Sequence, residues 1–260
     1  RAARGRGDGS AAGELLRAHG ERLARSTPAR ARAWVVKLQG VVERHGALRP
    51  WVQWTAATVW YLLGDAARAE PLLAAAARSF SARRRRDLAD RVGLTRVDLH
   101  GERLQLGRAR RLARALERRF RAAGDRERAA VALANLAAAE DAADRVGAAR
   151  QLWFRALRDL DPSGVRRLLV TANLANSESL VGSFGAAAAG HRRVAERAAE
   201  LGLVAVALQA ELNLAETELA RGEADTAAQR WLETAERARA AGLPLVAAGC
   251  EVELGRVDLE

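Results

Sequence analysis

The sequence predicts an all-α fold, an α-solenoid of antiparallel helix hairpins stacked side by side. Three observations predict it. First, apolar residues recur at helical spacing. Leu208, Leu212, Ala215 and Leu219 fall at i, i+4, i+7 and i+11, and Ala227, Trp231, Ala235 and Ala238 form a second stripe after a break at Arg221-Gly222. Second, that helix pair is repeated along the chain. Third, residues with high helix propensity dominate, with 49% of the chain hydrophobic and only 5 prolines. Neither helix buries its stripe alone, and the pair still leaves one face open for a neighbouring copy.

The repeat is read with Asn213-Leu214-Ala215 as a ruler. It recurs as Asn173-Leu174-Ala175 and Asn135-Leu136-Ala137. Gly182 and Gly222 follow Asn173 and Asn213 at a common spacing, where a helix must stop and glycine takes the left-handed conformation freely. Ala149, Ala187 and Ala227 sit early in the second helices. The register extends to Thr55 (then Gly64 and Ala69), to Asp98 (then Gly107, with Leu112 in place of the alanine) and to Glu253. Successive spacings are 43, 37, 38, 40 and 40.

The elements follow in order. Residues 1–9 read as an Arg/Gly-rich tail or linker, and residues 10–260 as the repeat array. Arg6-Gly7-Asp8 spells an adhesion tripeptide, which chance explains in such a tail. Gly5, Gly7 and Gly9 are no phosphate loop, because no strand precedes them. A divergent pair spans 10–46, with Pro28 in the first turn of its second helix and Trp34, Val35, Leu38, Val41 and Val42 as apolar face. The next repeat, about 50–82, crowds Trp51, Trp54, Trp60 and Tyr61 onto one helix as core. Arg83 to Arg86 read as a solvated turn. Repeat 87–123 has the most basic helix, on which Arg111, Arg114, Arg118 and Arg121 share a face. Repeats 126–160, 163–201 and 203–241 follow, then a partial one at 244–260. Asp161-Pro162-Ser163 punctuates between the first two of these, and Ser163 is placed to cap a helix.

Composition bounds the function. No apolar run approaches the ~20 residues that cross a bilayer, so no membrane association is expected. The formal charge is +11, with 43 basic and 32 acidic residues. Residues 1–150 carry the positive excess. Lys37 is the single lysine and isoleucine is absent, a bias towards arginine that reads as a solvated surface. Cys250 is the only cysteine, set among Ala247, Ala248 and Val252 as a small buried hydrophobe. This fits a reducing cytoplasm. With no methionine, the chain reads as a fragment of a larger bacterial protein.

These residues resemble tetratricopeptide repeats. Leu214, Ala215, Gly222 and Ala227 fit that family's pattern, as do Leu174, Ala175, Gly182 and Ala187. The likeness covers about residues 50–260. The spacing departs from the usual repeat length and is similar to the long repeats of kinesin light chains and of bacterial arrays beside CHAT protease domains. The Gly124-Asp125-Arg126 linker looks the same. HEAT and armadillo repeats share the period but fit the small-residue positions less well. The Asp98 repeat departs most, with His100 at the small position. The resemblance implies a right-handed superhelix whose first helices line a concave groove.

No catalytic constellation has a workable spacing. His19, His45, His100 and His191 lie too far apart to share a metal, and Cys250 has no histidine nearby. No cofactor or metal is expected. What remains is a surface. The column Asp98, Asn135, Asn173, Asn213 and Glu253 is expected along the groove, with Asn176, Gln209 and Glu216 one turn away. Asparagine offers a donor and an acceptor, so such a ladder would hold an extended peptide, as the resemblance implies. The other reading is a solvated column or bonds between neighbouring helices. Function is read as a non-enzymatic protein-interaction scaffold, in a setting such as a CHAT protease-associated protein. The alternatives are a sensing arm of a transcription regulator and an RNA-binding solenoid using the 108–121 helix.

Overall fold

The computed structural model describes residues 8–41 and 48–257. Among them are thirteen helices and no strand: α1 (Asp8–Ser26), α2 (Pro28–Val41), α3 (Arg49–Leu62), α4 (Ala66–Ala82), α5 (Arg86–Glu102), α6 (Leu106–Ala122), α7 (Arg126–Asp141), α8 (Val146–Leu157), α9 (Val165–Leu180), α10 (Phe184–Glu200), α11 (Val204–Ala220), α12 (Ala224–Ala240) and α13 (Pro244–Val257). Consecutive helices pair as antiparallel hairpins, so the α-solenoid architecture is present. The chain divides into two compact units between Arg118 and Arg119. Of the expected tail, residues 1–7 lie outside the described residues, and Asp8 and Gly9 belong to α1. Val42 and His45 also lie outside them.

The turns explain the repeat. After α3, Gly64 takes φ 78°. Its N–H donates to the Tyr61 carbonyl and that of Asp65 to the Trp60 carbonyl. This Schellman motif satisfies carbonyls that the helix end would otherwise orphan. It recurs at Arg84, Leu104, Gly124, Asp144, Gly182, Gly202, Gly222 and Gly242, all with positive φ. From 64 to 144, and again from 182 to 242, these positions fall 20 residues apart. A 17-residue helix and three linking residues make up each step, as in α4, α5 and α6.

This period corrects the register of one repeat. The turn after α5 is closed by Leu104, not Gly107, which lies inside α6. The residue equivalent to Asn135 is therefore Thr95, and the spacings from Thr55 become 40, 40, 38, 40 and 40. Asp98 leaves the Asn135 column and joins the row of Asn176 and Glu216. The small position of that repeat is held by Val97, not His100, and the helix-B alanine is Ala109, not Leu112. Ala69, Ala109, Ala149, Ala187 and Ala227 are all fully buried, so each second helix approaches its neighbour closely.

One link departs from the period. Helix α8 has 12 residues, and Asp161-Pro162-Ser163-Gly164 replaces the Schellman turn. Ser163 does not cap α9. Gly164 holds the cap position, while the Ser163 N–H and hydroxyl both donate to the Asp161 carboxylate. The end of α8 is closed by a side chain, with Arg167 donating to the carbonyls of Leu157 and Leu160.

In the first unit the tryptophans form core, as their spacing predicts. Trp51 and Trp54 stack with ring centroids 5.6 Å apart, and Phe80 meets both edge-on. Arg17 and Arg91 each lie 5.3 Å from the Trp54 ring, cation–π contacts that cover the cluster. Helix α1 packs on α3 through glycine. A Cβ at Gly13 would stand 2.1 Å from the Trp51 indole.

In the second unit Trp231 packs with Leu212, Ala215, Ala227, Ala235 and Cys250. Cys250 is a buried apolar-like residue, and burial pushes its thiol up to about 11. Trp153, His191 and Trp231 occupy equivalent places in α8, α10 and α12, and all are buried. Burial holds the His191 imidazole neutral, down to about 4 from an ordinary 6.5.

Two outcomes follow from this packing. Leu104 is 62% exposed and sits at φ 52°, so Leu104→Gly relieves left-handed strain with little packing to lose. Stability should rise by about 0.5–1 kcal/mol, read as a higher urea midpoint at unchanged slope. As the pH falls, the unfolded chain protonates at the His191 position before the folded chain does. Stability from this group is complete above about pH 6.5 and is lost as the pH falls towards 4, by about 3 kcal/mol. His191→Leu should flatten that part of the acid-unfolding curve.

Candidate interaction groove

The first helices of successive repeats, α9, α11 and α13, lie side by side in the second unit. Between them opens a groove of about 580 Å³. Leu169 and Ala172 from α9, Ala205, Val206 and Ala210 from α11, and Leu243 to Val246 at the start of α13 line it with carbon. Leu169 is 46% and Leu245 88% exposed, so large apolar side chains stand in water here. Burying them on a ligand is favourable.

Four of the expected site residues lie on this apolar wall: Asn173, Asn176, Gln209 and Asn213. The Gln209 Nε2 donates to Asn213 Oδ1 at 2.9 Å, and Asn213 Nδ2 donates to Asn176 Oδ1 at 3.0 Å. The chain of amides therefore bridges α11 to α9, which is the interhelical bonding that the alternative reading described. It also leaves donors and acceptors over. Asn173 has no side-chain hydrogen bond among the described residues, and Gln209 keeps its carbonyl oxygen. Beneath the row, Thr217 donates to the Asn213 carbonyl at 2.8 Å, and its hydroxyl lies 3.2 Å from that of Ser179.

The other expected residues fall elsewhere. Asn135, half-buried on α7, does not line the groove. Glu216 is exposed one turn beyond Asn213. Desolvation and then the nearby Glu253 carboxylate raise its pKa, with Arg256 opposing. Glu253 is paired with Arg256 at 2.9 Å. Asp98 belongs to the first unit. The basic face is split as well. Arg111, Arg114 and Arg118 are exposed on α6, whereas Arg121 pairs with Asp159 at 3.0 Å. Among the described residues no group of three or more His, Cys, Asp or Glu side chains could hold a metal ion. No described helix is long and apolar enough to cross a membrane.

Sequence reasoning missed a row of buried acids behind the groove. Glu140, Glu178 and Glu218 are 3–5% exposed. Arg150 grips Glu178 with two guanidinium nitrogens at 2.8–3.1 Å, and Arg230 grips Glu218 at 2.8 Å through each of two. Such forked pairs fix the C-terminal ends of α9 and α11, the helices that carry the asparagines. The signal was present, since each acid stands five residues after Asn135, Asn173 or Asn213. The apolar floor was missed too, because Leu169 and Leu245 lie off the core stripe.

This architecture is an α-solenoid similar in fold to tetratricopeptide-repeat arrays: paired helices, small residues at the close contacts and, in the second unit, a groove lined by the first helices. No protein-family model matches the sequence, and no curated protein does. Solved structures match in fold. BtubC (BKLC) from P. vanneervenii superposes with a TM-score of 0.67 at 18% identity, over 84% of this chain and 92% of that one. A signal transduction ATPase with numerous domains and a tetratricopeptide repeat sensor, from Pyrococcus horikoshii, gives 0.69 at 14%, over 92% of this chain and 37% of that one. A Rap protein complexed with Competence and Sporulation Factor gives 0.64 at 14%, over 94% and 74%.

Proposed function

We propose that this chain is a non-enzymatic interaction module that holds an extended peptide segment of a partner protein in the α9–α11–α13 groove. The observation that carries this reading is the placing of an amide row on an exposed apolar wall. An extended peptide has unpaired N–H and C=O groups along both edges and alternating side chains. Asn173, Asn213 and Gln209 would answer the backbone groups, and Leu169 and Leu245 would cover apolar side chains. The Rap protein, similar in fold, was solved with a bound factor, which supports a partner of this kind. The match also covers 37% of the Pyrococcus horikoshii ATPase, a protein with a tetratricopeptide repeat sensor. That likeness supports a second reading of this chain, as the sensing arm of a larger protein; a CHAT protease or a transcription regulator is the candidate neighbour, in a bacterial cytoplasm.

The test uses peptides selected from a random library on the purified chain. Asn173→Ala with Asn213→Ala should weaken the selected peptides by about tenfold or more, with the circular dichroism spectrum unchanged. Leu169→Asp should abolish binding. Raising the salt should have little effect, because neutral amides and carbon make the contacts. Unchanged affinity in the double variant sinks the groove reading. A steep fall with salt would favour phosphate recognition by arginines instead.

A further inference from the structure

The first unit holds a second depression, of different chemistry. It opens between α4, α5 and α6, measures about 360 Å³, and is lined by Glu70, Arg96, His100, Arg108, Arg111, Leu112 and Ala115. Three guanidinium groups and a histidine thus face one carboxylate. That carboxylate is already engaged. Arg103 donates to Glu70 at 2.5 Å from outside the lining, and Arg108 stands 3.8 Å from it. Arg96 and Arg111 have no acid partner among the described residues. The Nε of Arg96 is buried and makes no hydrogen bond, and a buried donor left unpaired is unfavourable.

His100 forms part of the wall and is 4% exposed. Its Nδ1 lies 3.0 Å from Gln105 Oε1, and Arg108 donates to the same oxygen at 3.2 Å. Burial first, and then the charges of Arg96 and Arg108, hold the imidazole below its ordinary value, against Gln105 and Glu70. The Arg111 guanidinium reaches back over Gly107, where even an added Cβ would stand 3.6 Å away.

We propose that this depression binds a small molecule bearing a phosphate monoester, with Arg96, Arg108 and Arg111 around the phosphate. Guanidinium forks match phosphate oxygens in pairs. A dianion answers the excess of positive charge that Glu70 leaves. The volume exceeds that of a bare phosphate ion and lies within the range of small-molecule sites, so the group carrying the phosphate has room over Leu112 and Ala115. The site lies wholly in the first unit and does not rest on the groove reading.

The experiment titrates the full chain with inorganic phosphate and with phenyl phosphate by calorimetry. Both should bind saturably at one site, phenyl phosphate the tighter. Arg96→Gln and Arg111→Gln should each weaken binding by about tenfold or more, with the circular dichroism spectrum retained. Arg114→Gln, on the same helix but outside the depression, should leave it unchanged. The His100 titration, followed by NMR, should move up when phenyl phosphate is bound. The proposal is overturned if neither probe saturates, or if Arg114→Gln weakens binding as much as Arg96→Gln. It is equally overturned if a single-stranded RNA oligonucleotide binds with all the arginines contributing alike, because that describes a diffuse basic surface.

Discussion

At nine helix ends of this chain, a short link of three or four residues must reverse the backbone and satisfy the helix's last carbonyls. Only a left-handed residue does both in so short a link, through the paired hydrogen bonds of the Schellman motif. Six of these positions are glycine; Arg84, Leu104 and Asp144 bear the strain instead. Where this closure recurs every 20 residues, from 64 to 144 and from 182 to 242, each helix starts in the same phase as the one two before it. Equivalent side chains then fall into rows. The fully buried alanines from Ala69 to Ala227 form one row and the residues that end each helix another. The groove depends on this phase, since one extra residue in a turn would rotate Asn213 away from Asn176 by about 100°.

Three rows meet in the second unit. The alanines set how near the helices come. The buried acids Glu178 and Glu218, gripped by Arg150 and Arg230, hold the ends of α9 and α11. The amides Asn173, Asn176, Gln209 and Asn213 then stand on a surface that is otherwise carbon. A buried carboxylate is costly unless paired and hydrogen-bonded. Here both pairs are two-pronged, and they add geometric definition to the contacts of α9 with α8 and of α11 with α12. The interhelical bond from Asn213 to Asn176 orders the amides before any ligand arrives, which lowers the entropy lost on binding.

Much of this was legible in the sequence, because 3.6-residue periodicity and a repeating Asn-Leu-Ala survive wherever the packing needs them. Asn173 and Asn213 mark their turns correctly for that reason. Asp98 misled because Gly107 lies nine residues on, at the spacing of a turn glycine. The true turn residue, Leu104, has no sequence signature, since leucine gains nothing locally from a left-handed φ and the hydrogen bonds that close the end of α5 impose it. The 38-residue spacing from Asn135 to Asn173 was visible, but its cause was not. A short α8 closed by the Arg167 side chain is a tertiary contact that no local pattern encodes. The groove floor was hidden because Leu169 and Leu245 are apolar residues outside the core stripe, and only the fold shows that they are exposed.

Hydrogen exchange on the full chain, with and without a peptide selected from the library, tests the groove most directly. The account predicts slowed exchange in α9, in α11 and at the start of α13, where the amide row and the apolar wall meet. Slowed exchange confined to α10 and α12, or to residues 8–118, would contradict it.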